Sequence, residues 1–119
     1  MTKYFNPKKE ILSACDPSMK KFINATVADI AHLAMYCPEG CCVAFSHREQ
    51  PMNGQWWWPP RRRRSESERG FRSRVYAWAW RFFDEFIVNR INDEDMDICG
   101  FITPADNPEY KLFLFNPDD

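Results

Sequence analysis

Apolar residues recur at helical spacing across residues 17–37. Met19, Phe22, Ile23, Thr26, Val27, Ile30, Leu33, Ala34 and Cys37 share one face, and Lys20, Lys21, Asn24, Asp29 and His32 take the others. Asp16-Pro17 marks the start, with a capping side chain before a proline in the first turn, and Pro38-Glu39-Gly40 marks the end. Asn6-Pro7 carries the same start signal and predicts a shorter helix over residues 7–15.

A second long helix is predicted over residues 68–92, capped by Ser65 or Ser67. Phe71, Val75, Trp78, Ala79, Phe82 and Phe86 form one stripe, which Tyr76, Trp80, Phe83, Ile87 and Ile91 continue around the helix. The apolar arc spans about 220°, roughly twice what a helix lying on one core requires. Such a helix is either sandwiched between two layers or keeps one face for a partner.

Strands are predicted where short apolar runs meet turn residues. Residues 41–46 form one, and residues 97–103 and 109–115 form a hairpin around the turn Pro104-Ala105-Asp106-Asn107-Pro108. The expected order is α-α-β-α-β-β, an α+β fold with about three mainly antiparallel strands. At 119 residues the chain is expected to be one domain, 1–119.

Between these elements, residues 47–66 lack periodicity and read as a long loop. A loop approaching 20 residues is uncommon in a compact domain and usually serves a function. It contains Trp56-Trp57-Trp58-Pro59-Pro60-Arg61-Arg62-Arg63-Arg64. Three indoles offer roughly 450–750 Å² of surface, comparable to the largest apolar patch a monomer tolerates, about 300–600 Å². Regular secondary structure cannot point all three the same way. Either they fold onto the domain's own helix or they anchor a partner, and Trp and Arg are the residues in which interface hot spots are enriched.

Charge sharpens that reading. The net charge is −1, yet residues 61–74 carry seven arginines and two glutamates, a local +5. Residues 92–119 carry eight acids and one lysine, a local −7. The pI of 6.1 is low for a dedicated nucleic-acid binder, which usually exceeds about 9. The polarity fits a protein partner with an acidic or phosphate-lined surface. The expected binding set is Trp56, Trp57, Trp58, Arg61, Arg62, Arg63, Arg64, Arg69, Arg72, Tyr76 and Trp80, with Ile87 beside them on the helix.

Other chemistry has less support. Cys37, Cys41, Cys42, His47 and Cys99 are residue types that zinc accepts. However, only one short-spaced pair is present, and Cys37 continues an apolar face, so buried thiols are expected rather than a metal. No nucleophile, base and orienting group fall into a triad, and four glycines build no phosphate loop. Neither an enzyme nor a cofactor is expected.

No apolar run is long enough to span a membrane, and the first residues lack a signal-peptide core. A cytoplasmic protein with reduced thiols is therefore expected. The favoured reading is a non-enzymatic inhibitor or immunity-type protein, of the kind phages and mobile elements direct against defence machinery. The alternatives are a single-stranded nucleic-acid binder that stacks bases on tryptophan, and an assembly subunit that self-associates through the broad helix.

Overall fold

The computed structural model describes residues 7–13, 17–46, 51, 55–88 and 111–118. Its elements are α1 (Pro7–Ser13), α2 (Pro17–Met35), β1 (Cys42–Ser46), β2 (Trp56–Trp57), α3 (Glu68–Phe82) and β3 (Lys111–Phe115). This is the expected α+β architecture, with one difference in order: a second strand, β2, precedes α3. The predicted strand over 97–103, its turn, the helix end at 89–92, Ile91, Cys99 and His47 lie outside the described residues.

The α2 stripe is narrower than the sequence suggests. Ile23, Val27, Ile30, Ala31 and Ala34 are buried, whereas Phe22 is 44% exposed. Burying an Ile or Val side chain contributes roughly 1.5–3 kcal/mol, and Ile23, Val27 and Ile30, spaced about one turn apart, seat the helix. The last turn tightens, with Cys37 N–H donating to the Ala34 carbonyl at 3.4 Å. Gly40 then adopts φ +84° while Cys41 N–H donates to the Pro38 carbonyl at 3.1 Å. A positive φ at the third position of a four-residue turn is what a type II turn requires of glycine.

Ser67 caps α3, its hydroxyl accepting from Gly70 N–H at 3.1 Å. Beyond Phe82 the helix does not continue as an α-helix. Residues Phe83–Val88 wind as a π-helix, whose wider turn rotates successive residues through a smaller angle. Adjacent Phe82 and Phe83, at the junction of the two windings, are both fully buried, with Phe86 close behind.

Three antiparallel strands form one sheet in the order β2-β1-β3. Val43 pairs with Trp57 and Leu114, and Ala44 pairs with Trp56 and Phe113. Side chains alternate across a sheet. Val43, Phe45, Trp57 and Leu112 pack against the core shared with α2 and α3. Ala44, Trp56, Phe113 and Phe115 therefore belong to the other face.

The broad apolar arc of α3 is covered from two sides by the chain itself. Toward the sheet, the Trp57 ring lies 6.2 Å from Phe82 and 4.9 Å from Phe86. On the other flank Trp80 is buried, 6.3 Å from Phe83, with the Lys8 ammonium of α1 6.0 Å from its ring centroid. Among the described residues of the arc, Tyr76 is exposed.

Candidate functional site

The tryptophan run is divided by the pleat of β2. Trp57 points inward and contacts Trp78, Phe82 and Phe86 at 6.2, 6.2 and 4.9 Å between ring centroids. It is partly buried against the core rather than free as a docking anchor, and the buried Trp80 departs further from that expectation. Trp56, one residue earlier, points outward and is half-buried. Trp58 is 51% exposed and meets Trp56 edge-on at 5.4 Å. Pro59, which is buried, ends the strand because it has no N–H to donate.

On that outer face the rings form a continuous row. Trp58 touches Trp56, Trp56 lies 6.3 Å from Phe115, and Phe115 lies 6.5 Å from Phe113. The row crosses the small, fully buried Cys42 and Ala44 of β1. Phe113 and Phe115 are site residues that sequence reading missed. Their alternation was visible, but the strand's neighbour was not.

The four arginines do not act as one patch. Arg61 turns back onto the end of α2. Its Nη1 donates to the Cys37 carbonyl at 2.6 Å, and its Nη2 donates to the carbonyls of Pro38 at 2.9 Å and Cys41 at 3.4 Å. The guanidinium thereby ties together the carbonyls of the turn that follows α2, near the negative end of the helix dipole. Arg61 is therefore a structural clamp rather than a free docking charge.

Glu66 and Arg74 hold the rest of the loop, and neither was among the expected site residues. Arg74 donates from Nε to Glu66 Oε2 and from Nη2 to Glu66 Oε1, both at 2.6 Å, and from Nη2 to the Arg61 carbonyl at 2.7 Å. Arg63 N–H donates to Glu66 Oε1 at 3.0 Å, and Arg62 Nε donates to the Glu66 carbonyl at 3.1 Å. The Arg74 hydrogen bonds, followed by that from the Arg63 backbone, lower the Glu66 carboxyl to about 2. The same contact raises the pKa of Arg74.

Arg62, Arg63, Arg64, Arg69 and Arg72 are exposed. Among the described residues, Arg64, Arg69 and Arg72 make no side-chain hydrogen bond or ion pair. Their charge is available to another molecule.

The thiols next to this loop are quiet. Burial, then Cys37 and Cys41, pushes Cys42 up to about 11, and its Sγ lies 3.1 Å from the Phe115 carbonyl. Burial likewise raises Cys37, against the opposing charge of Arg61. Among the described residues no three His, Cys, Asp or Glu side chains are placed to hold a metal ion. Asp84 is raised mainly by burial and secondarily by Glu85.

Arg72 and Tyr76 lie apart from the tryptophans, in a cleft of about 430 Å³ between α2 and α3. Among the described residues no helix is long and apolar enough to cross a membrane. No protein family, no curated protein and no solved structure matches this chain.

Proposed function

We propose that this chain is a binding protein that docks on an acidic protein surface through Trp58, Trp56 and the guanidiniums of Arg62, Arg63 and Arg64. One observation carries the reading. A half-exposed indole is followed, four to six residues on, by exposed arginines on a loop whose backbone is already fixed by Glu66, Arg74 and Arg61. An aromatic anchor supplies buried area, the guanidiniums supply complementarity to an anionic partner, and a pre-formed loop loses little entropy on docking. Occupying a partner's acidic or phosphate-lined site would make the protein an inhibitor or immunity-type factor, a role that asks no chemistry of the chain itself. The test is partner capture from the source organism by the full chain. Trp58→Ala and an Arg63→Glu/Arg64→Glu pair should each weaken capture at least about tenfold while leaving the circular dichroism spectrum unchanged. Undiminished capture by both variants would defeat the proposal.

A second reading draws on the row of rings from Trp58 to Phe113 on the sheet face opposite the helices. Aromatics on a sheet beside basic side chains are the means by which proteins stack and hold single-stranded nucleic acid. Engagement of about five phosphates would give a log-log salt slope near −4. An affinity for single strands that is insensitive to salt would remove this reading.

A further inference from the structure

The cleft between α2 and α3 shares no residue with the tryptophan surface, and its lining has a chemistry of its own. The ring centroids of His32 and Tyr36 lie 4.8 Å apart on α2, and Tyr76 lines the cleft from α3. Tyr36 is 67% exposed and Tyr76 38% exposed. Arg72 brings a guanidinium with no acceptor among the described residues, and Asp29 brings a carboxylate. At about 430 Å³ the cleft falls within the range of small-molecule sites, about 300–1,000 Å³.

We propose that this cleft binds a small planar-ring ligand that carries one anionic group and N–H donors, the chemistry shared by a nucleoside monophosphate and an aromatic amino acid. Each part of the ligand answers a lining residue. The flat faces of Tyr36, Tyr76 and His32 accept a stacked ring. The planar fork of Arg72 pairs with a phosphate or carboxylate in two-point fashion. The Asp29 side chain offers carboxyl oxygens as acceptors, which suits an N–H-bearing edge or an ammonium. Its charge also repels a bare polyanion, which separates this site from the arginine loop. The two tyrosines left wet beside an unpaired guanidinium are what the fold does not otherwise explain.

Heteronuclear NMR titration of the full chain is the test, with guanosine monophosphate, tryptophan, guanosine and inorganic phosphate as separate probes. Guanosine monophosphate, tryptophan or both should shift Arg72 and Tyr76 amides saturably, and whichever binds identifies the source of the ring. Guanosine and phosphate alone should bind at least about tenfold more weakly. Arg72→Ala should weaken the bound probe about tenfold or more, Asp29→Asn should weaken it too, and Trp58→Ala should leave it unchanged. Absence of saturable shifts with both probes, equal affinity for phosphate alone, or an Arg72→Ala variant that binds as wild type would each overturn the proposal.

Discussion

Glu66 grips Arg74 through both carboxylate oxygens, and the same guanidinium reaches on to the Arg61 carbonyl. One acid ahead of the helix cap and one base two turns into α3 thus fix the backbone of a segment that would otherwise repel itself. Of the arginines in residues 61–74, those that build the loop are Arg61 and Arg74. Those that remain presentable are Arg62, Arg63, Arg64, Arg69 and Arg72.

The Glu66 carboxyl gives this arrangement an acid limit. Its folded pKa lies below the ordinary value of 4.5, at about 2. Its contribution is therefore fully present above about 4.5 and is lost as pH falls toward 2. Amide shifts of Arg62 and Arg63 report the folded state, so they should stay constant from neutral pH through about 4.5 and move only as pH approaches 2. Glu66→Gln should display the disturbed shifts already at neutral pH, and identical spectra for the two proteins would show that the carboxylate holds nothing.

Adjacent tryptophans should respond differently to truncation. Trp57→Ala removes a ring packed against Trp78, Phe82 and Phe86 and should cost roughly 3 kcal/mol or more of stability. Trp58→Ala removes an exposed ring and should cost no more than about 1 kcal/mol, the worth of its edge contact with Trp56. Urea denaturation measures both, and equal losses would mean that the register of β2 differs from that described.

Gly40 and Arg61 hold the turn between α2 and β1 by separate means. A side chain at Gly40 would meet open space but would have to adopt φ +84°. Gly40→Ala should therefore cost about 1–2 kcal/mol from backbone strain alone. Arg61→Ala removes the guanidinium bonds to three carbonyls, of which that of Pro38 keeps the Cys41 N–H, and should cost about 1 kcal/mol. Thermal unfolding of the single and double variants should show more than additive loss, because both act on the same five residues.

Thiol chemistry should follow exposure. Of the three described cysteines, Cys41 is half-exposed while Cys37 and Cys42 are buried. Cys42 is additionally held up near 11. Pulsed alkylation at neutral pH with peptide mapping should label Cys41 first and Cys42 last. Early labelling of Cys42 would indicate that the β1–β3 pairing opens readily.

The elements legible in the sequence are those with local causes. Helix α2 announces itself by periodicity and by its Pro17 start, α3 by its serine cap, and β1 and β3 by short apolar runs. Strand β2 was not legible, since two residues cannot display a period and its partner lies across the long loop. The inward turn of Arg61 depends on carbonyls 20–24 positions earlier. The Glu66–Arg74 pair spans eight positions across a helix start, a spacing that no regular helix rule flags. The meeting of Trp56 with Phe115 is a product of sheet order alone. The sequence thus exposed the residues of the recognition surface without exposing which of them face outward.

The pleat that divides Trp56, Trp57 and Trp58 ties folding and docking to a single parity. Inserting one residue between Gln55 and Trp56 would send two indoles into the space that now fits one and would turn the third outward. Changes in length upstream of Gln55 leave that parity intact. Evolution can therefore lengthen the approach to this segment freely, whereas the segment itself can vary only by substitution.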